Sequence, residues 1–192
     1  MRTRPPGRPP DRAVRPREYL TPEEVERLRT AAASRGRHGP RDAAMILLAY
    51  RHGLRASELV GLERAAVFPD RAQLYVRRVK GGLPGLHPLG PRELRALNKV
   101  LKGPGSKYVF RSERGGPLTV SAFAKIVARA GRAAGIPFPV HPHMLRHACG
   151  YKLANDGQDT RAIQHYLGHR NIRHTVRYTA LSGDRFQGFW ED

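Results

Sequence analysis

The stretch that decides the fold reads HPHMLRHACGY and spans residues 141–151. It predicts a helix from about His143 to Ala154. Residues three positions apart lie side by side on a helix, so His143 and Arg146 share a face. Such a pair can donate to two oxygens of one phosphate, and arginine does so bidentately. His-x-x-Arg is common by chance in surface helices, so the surrounding sequence must decide its meaning.

A metal site is the first alternative, because six of the nine histidines fall between His141 and His174. His143 and His147 have the i, i+4 spacing of a zinc hydrolase helix. However, Met144 stands where that chemistry needs a glutamate, and the guanidinium of Arg146 would lie beside the cation. A cysteine pair for a structural zinc site is also missing. We therefore expect no metal, and a zinc hydrolase is the weakest alternative.

Three segments outside this stretch strengthen the phosphate interpretation. GLRASEL (residues 53–59) places Arg55 at the entry of a short helix, with Glu58 three residues on to orient it. LGH (167–169) ends a helix on glycine and presents His169. Tyr178 follows nine residues later. His141, His147 and His174 are expected to pack or face DNA, and Cys149 to be a small core residue.

The charge of the chain predicts a polyanionic partner. Its 192 residues hold 35 Lys plus Arg against 16 Asp plus Glu, a formal charge of +19. Nucleic acid is the usual partner of such a surplus, although biased codon usage could also produce an arginine-rich surface. The apolar run that ends at Tyr50 is far shorter than a membrane span needs, and no secretory signal precedes it. With one cysteine, the chain is expected in a reducing compartment, the cytoplasm.

The N-terminal region differs from the remainder in composition. Residues 1–18 carry a net charge of +4 and five prolines, which predict an extended, disordered arm. Residues 19–192 are expected to form one domain. The arm arginines are candidate DNA contacts: Arg2, Arg4, Arg8, Arg12, Arg15 and Arg17.

The hydrophobic pattern predicts a mainly α fold with one small antiparallel β-sheet. TPEE (21–24) is a capping box with proline at the first helical position. Period-two alternation indicates strands over Leu74–Val76, extending as far as Val79, and over Leu86–Leu89. The other expected helices are Arg41–His52, a short one holding Glu58 to Leu62, Leu94–Leu101, Ser121–Ala134, His143–Ala154, Arg161–Leu167 and Thr175–Tyr178.

Taken together, these motifs resemble the catalytic domain of the tyrosine recombinases, the phage integrase family. They are most similar to its short fimbrial-switch invertases, the FimB and FimE type. LLAYRHG (47–53) and YLGHRNIRHTVRYT (166–179) carry this likeness together with the 141–151 stretch. The resemblance implies the fold of DNA breaking-rejoining enzymes. It also implies a catalytic set of Arg55, Lys80, His143, Arg146, His169 and Tyr178, with Glu58 in support.

The resemblance further implies strand cleavage by Tyr178 through a 3′-phosphotyrosine intermediate, without cofactor, metal or ATP. The partner would be double-stranded DNA with a specific recombination site. A homotetramer on DNA and DNA-bending accessory proteins are also implied. Phe186, Phe189 and Trp190 give the C-terminal tail an apolar face, which would fold back on its own domain or dock on a neighbour. Most family members carry a core-binding domain ahead of the catalytic one, whereas about eighteen residues stand there in this chain.

The outcome on DNA stays open at this stage. Inversion of a phase-variable promoter, such as a fimbrial switch, is the first expectation, and integration or excision of a mobile element uses the same active site. A type IB topoisomerase-like enzyme would nick and reseal without exchanging strands. A basic DNA-binding regulator without catalysis would keep the same charge.

Overall fold

The computed structural model describes residues 17–79, 81–102 and 105–179. Within these ranges the chain is mainly helical, as predicted. Short 3₁₀ turns lie at Gly36–His38, Arg64–Ala66 and Pro69–Arg71. The α-helices are α1 (Pro22–Ala33), α2 (Gly39–Arg51), α3 (Ala56–Val60), α4 (Pro91–Leu101), α5 (Val120–Ala133), α6 (Pro142–Asn155), α7 (Thr160–Leu167) and α8 (Arg173–Thr179).

Local capping explains where α1 begins. The Thr21 hydroxyl accepts a hydrogen bond from the backbone N–H of Glu24, and the Glu24 carboxylate accepts one from the backbone N–H of Thr21. This reciprocal box satisfies two amide groups that a helix start otherwise leaves without partners. The predicted capping box is thus confirmed, because both of its members lie within one helical turn.

The predicted antiparallel sheet is confirmed, and it has three strands in the order β1 (Val67–Phe68), β2 (Gln73–Val76) and β3 (Gly85–Pro88). Leu74 pairs with Val67 on one side and with His87 on the other. The two-residue β1 was not predicted, because so short a segment shows no alternation. The extension of β2 to Val79 was wrong, since the Val79 amide donates to the Glu58 carboxylate instead of to a strand.

The middle of helix α6 is buried on every side, which fits the lack of a polar stripe in its sequence. Seven consecutive residues, Met144 to Gly150, are buried. On one side α6 packs against the main core around Leu48 and Phe123, and on the other it meets a second cluster with Leu167 and Tyr178. The 141–151 stretch therefore joins the two halves of the core. In the described ranges no helix is long and apolar enough to cross a membrane.

Residues 1–16 of the predicted arm lie outside the described residues, and residues 17 and 18 lie within them. Arg17 does not lie free as the arm prediction expected. It forms an ion pair with Glu24 and lies 5.1 Å from the centre of the Phe138 ring. Glu18 pairs with Arg177 on α8. The packed body therefore starts by residue 17, two residues before the predicted boundary, because these side chains have charged partners on the domain.

Candidate active site

Arg146 is fixed in the interior by main-chain carbonyl groups. Its side chain projects from α6, and the residue is 1% exposed. One guanidinium nitrogen donates to the carbonyl oxygen of Gly53, and Nη2 donates to that of Leu167 at 2.8 Å. Gly53 has φ of +55°, and a Cβ there would lie 2.3 Å from a Leu167 methyl group. Glycine is needed at this turn for both its backbone conformation and its lack of a side chain.

Glu58 organises the entry of α3. Its carboxylate accepts the backbone N–H of Arg55 at 2.9 Å and Arg55 Nη1 at 2.7 Å. It also accepts Arg78 Nη1 at 2.9 Å and the backbone N–H of Val79 at 3.2 Å. Burial alone would raise the pKa of Glu58, but the Arg55 hydrogen bonds and the Arg78 charge outweigh it, so the pKa is lowered. The carboxylate is charged at neutral pH, and its two contacts with Arg55 hold that residue at the entry of α3.

Arg78 is a structural residue that the sequence analysis missed. Besides its ion pair with Glu58, it donates to the carbonyl oxygens of Gly53 at 3.3 Å, His52 at 3.0 Å and Tyr166. A Cβ at Gly168 would lie 2.6 Å from Arg78 Cγ, so that helix end also needs glycine. Arg78 therefore connects the sheet to the ends of α2 and α7.

Lys80, the predicted lysine of the set, lies outside the described residues. Its neighbour Val79 is bound through its amide to Glu58. The carboxylate that orients Arg55 thus also fixes the chain next to Lys80.

His169 lies just beyond the end of α7. Gly168 adopts a left-handed conformation with φ of +66°, which ends the helix and turns the chain toward α8. The backbone N–H of His169 donates to the carbonyl of Gln164, and the Gln164 side-chain amide donates to the carbonyl of His169, both at 3.0 Å. His169 Nδ1 lies 2.9 Å from the hydroxyl of Thr175 on α8. Burial and the charge of Arg146 lower the pKa of His169 to about 3, so its ring is neutral.

Tyr178 is buried, with 1% of its surface exposed. Its ring lies edge-on to Tyr151, with centroids 5.0 Å apart, and packs over Gly150. A Cβ at Gly150 would come within 2.6 to 2.7 Å of three ring carbons, so the ring fits there because position 150 has no side chain. Burial raises the pKa of Tyr178 to about 12, and the hydroxyl is protonated at neutral pH.

His147 contributes more than the packing expected of it. It is buried, and its Nδ1 lies within hydrogen-bonding distance of the Tyr178 hydroxyl, at 2.9 Å. His143, one turn earlier, is exposed, and its ring stands edge-on to that of His147 with centroids 4.6 Å apart. No local pattern in the sequence signals the pairing, because residues 147 and 178 lie on different helices.

Six of the side chains described above, and not those of Glu58 and Arg78, line one cleft of about 320 Å³: Arg55, His143, Arg146, His147, His169 and Tyr178. Five of the six predicted catalytic residues border it: Arg55, His143, Arg146, His169 and Tyr178. Arg170 and Arg177 add exposed positive charge, and the described lining contains no Asp or Glu. Residues 17–79, 81–102 and 105–179 contain no group of three or more His, Cys, Asp or Glu arranged to hold a metal ion. The cleft is thus cationic, with a tyrosine in its wall, and suits a phosphate group.

Comparison with known proteins gives the family of the chain. The model of the phage integrase family matches residues 18–185. The chain belongs to the phage integrase family. The resemblance inferred from the motifs is therefore confirmed.

Two similar proteins are named type 1 fimbriae regulatory proteins. The chain is 44% identical over 181 residues to the type 1 fimbriae regulatory protein FimB of Escherichia coli strain K12, covering 91% of this chain and 90% of FimB. It is 46% identical over 182 residues to FimE of the same strain, covering 91% of each protein. The predicted similarity to the FimB and FimE type is confirmed.

Solved structures of the family share the fold. The crystal structure of XerA recombinase aligns with a TM-score of 0.76 at 29% identity, over 86% of this chain and 61% of XerA. A lambda integrase dimer bound to a COC′ core site aligns with a TM-score of 0.66 at 25% identity, over 81% of this chain and 59% of that one. The predicted catalytic-domain fold is confirmed.

Proposed function

We propose that this chain is a site-specific DNA recombinase that cleaves and rejoins DNA through a covalent 3′-phosphotyrosine. One observation carries the proposal: a cationic cleft lined by four arginines and four histidines has a tyrosine in its wall, and no acid lines its described surface. An incoming phosphodiester would find opposite charge and a nucleophile in one place. The similarity to FimB and FimE over 91% of the chain supports the same function.

The arginines would stabilise the reacting phosphate. Negative charge grows on its non-bridging oxygens in the transition state, and fixed cationic donors stabilise that charge best. Arg146 is fixed by two carbonyls and Arg55 by Glu58, so neither must reorganise as the reaction proceeds. His143 and His169 would add hydrogen bonds to the same oxygens.

Tyr178 would then attack the phosphorus atom. The new bond joins its phenolic oxygen to the 3′ phosphate, and the bond to the 5′ oxygen breaks. We assign Lys80 as the acid that protonates this leaving oxygen. The phosphotyrosine retains the bond energy of the phosphodiester, so a 5′ hydroxyl can attack it and rejoin the strand without ATP. The side chains of the cleft supply both the positive charge and the nucleophile of this reaction.

For the outcome on DNA, we propose inversion of a segment that carries a phase-variable promoter. The similarity to FimB and FimE along almost their whole length supports inversion. The fold shared with lambda integrase keeps integration or excision as the alternative. The assay first searches the DNA beside this chain's gene for paired repeats and then places them on a plasmid, in inverted or direct orientation. Segment orientation and loss are then read by PCR. Inverted product supports the proposal, loss of the segment alone supports excision, and Tyr178→Phe should give neither.

The proposed partner is double-stranded DNA with a specific site, bound by four copies of the chain with DNA-bending accessory proteins. The protein would then act at the nucleoid. The mass of the protein–DNA complex, measured by light scattering with a two-site duplex, tests the tetramer. A complex with two protein copies would contradict it.

The arm, residues 1–18, is proposed to grip the DNA backbone. Deleting residues 1–16 leaves the packed Arg17 and Glu18 in place and removes five arginines. For each phosphate that these arginines neutralise, the deletion should make the negative slope of log K against log salt shallower by about 0.9, and binding should weaken. Unchanged affinity and slope would show that the segment does not touch DNA.

A further inference from the structure

Cleavage by Tyr178 requires an acceptor for its proton, and four histidines border the cleft: His143, His147, His169 and His174. The ring of His174 neighbours that of His169, with centroids 5.9 Å apart. His169 Nδ1 is hydrogen-bonded to the Thr175 hydroxyl. Among the described residues, His147 is the histidine whose nitrogen contacts the Tyr178 oxygen, at 2.9 Å. His143 contacts the edge of His147 instead. The geometry therefore singles out a histidine outside the predicted catalytic set.

The protonation states of the pair suit this contact. Burial, and then the charges of His143, Arg177, Arg146 and His141, lower the pKa of His147 to about 3. At neutral pH the imidazole is neutral, and one of its nitrogens has a free lone pair. With the ring proton on Nε2, the Tyr178 hydroxyl donates to Nδ1.

We propose that His147 accepts the Tyr178 proton during cleavage and returns it during rejoining. This inference rests on the proposed recombinase function. In cleavage, the tyrosine oxygen forms a bond to phosphorus as its proton moves to His147 Nδ1. The 5′ oxygen leaves and takes a proton from the general acid. In rejoining, the 5′ hydroxyl attacks phosphorus and returns its proton to the general acid, while the His147 imidazolium protonates the departing tyrosine oxygen. Both steps then balance in protons and charge.

DNA binding would itself make His147 a stronger base. The positive charges around the cleft disfavour the imidazolium as long as they lack counter-charge. A phosphodiester seated between Arg146 and Arg177 adds negative charge close to His147. An opposite charge within about 4–6 Å favours the charged form of a titrating group. The acceptor therefore becomes basic when substrate is present.

The protonation pattern can be tested on the free protein by nitrogen NMR with ¹⁵N-histidine. We expect the Nε2–H form of His147, with an Nδ1 resonance that shifts in Tyr178→Phe. A proton found on His147 Nδ1 would overturn the inference, because that nitrogen would already be a donor to the tyrosine.

The kinetic test uses nicked suicide duplexes selected from a random pool by binding to the Tyr178→Phe protein. The rate of covalent adduct formation is measured in single turnovers for wild type, His147→Gln and His147→Ala. His165→Gln, an exposed histidine on α7, is the matched control. Losing a positioned proton acceptor should slow cleavage by about 10² to 10⁴. Melting temperature and DNA affinity, measured alongside, establish that each variant is folded and binds.

Two further measurements separate proton transfer from mere positioning. Free imidazole should accelerate cleavage by His147→Ala. A duplex with a 5′-bridging sulfur has a leaving group that needs no acid, and it should restore Lys80→Ala but not His147→Gln. If folded His147→Gln cleaves DNA at a rate within threefold of wild type, the role of His147 is overturned and the proposed recombinase function is not. Wild-type protein without any adduct would overturn the proposed function as well.

Discussion

Replacing Glu58 with glutamine should damage both stability and cleavage. Oε1 accepts Arg55 Nη1 and the Val79 amide, and Oε2 accepts the Arg55 amide and Arg78 Nη1. Whichever oxygen becomes the amide nitrogen, two of the four donors lose their acceptor and both guanidinium groups lose their counter-charge. The side chain is 0% exposed, and breaking such a buried pair costs about 3–5 kcal/mol. In a domain of this size the melting temperature should fall by roughly 6–20 °C.

Glu26→Gln is the matched control for this substitution. Glu26 also pairs with two arginines, Arg29 and Arg92, but its side chain is 47% exposed. Exposed pairs contribute at most about 1 kcal/mol, so the control should melt within a few degrees of wild type. Thermal unfolding followed by circular dichroism gives the melting temperature of both variants. The rate of adduct formation, at a temperature where both are folded, reports whether Arg55 is still correctly oriented. Since a misplaced transition-state donor costs about 10²–10³ in rate, equal melting and equal rates for the two variants would refute the reasoning.

Three other predictions concern Gly150, Tyr178 and the two buried histidines His87 and His147. Gly150→Ala should destabilise the fold by about 1–3 kcal/mol and slow adduct formation, because its Cβ would overlap the Tyr178 ring. Urea unfolding measures the loss, and Gly116→Ala, whose Cβ would lie in open space, is the control that should show none. Tyr178→Phe should abolish the adduct on suicide DNA and cost about 1–2 kcal/mol in the same unfolding assay, since His147 loses its partner. Burial lowers the pKa of His87 and His147 to about 3, whereas in the unfolded chain both titrate near pH 6.5. The unfolded chain therefore binds more protons, and the stability of the fold decreases as the pH is lowered. Between pH 7 and 5.5 the unfolding free energy should drop by about 2.5 kcal/mol for the pair, and a flat profile would contradict this assignment.

Local interactions made most of the fold predictable from the sequence. The start of α1 depends on Thr21 and Glu24, which lie in one turn, and the Arg55–Glu58 contact also spans three residues. Such contacts form wherever the segment is helical, so the sequence alone reveals them.

The remaining features depend on contacts between distant segments. Arg78 lies within the segment where a strand was predicted as far as Val79, yet its side chain bonds to carbonyls of the 52–53 turn and of Tyr166. His147 meets Tyr178 only because α6 packs against α8. The pattern of one segment carries no information about a partner 20 to 90 residues away, so both roles required the folded arrangement.

The partners of Arg146 have a consequence for work with the purified protein. Main-chain carbonyls hold this guanidinium, and in residues 17–79, 81–102 and 105–179 no carboxylate forms an ion pair with it. Burial and the nearby Arg55 lower its pKa to about 10, so it still carries a full charge at neutral pH. A buried cation bound only by dipoles attracts whatever small anion the solution offers. Sulfate or inorganic phosphate would occupy the place of the scissile group, stabilise the DNA-free protein and weaken its apparent affinity for DNA.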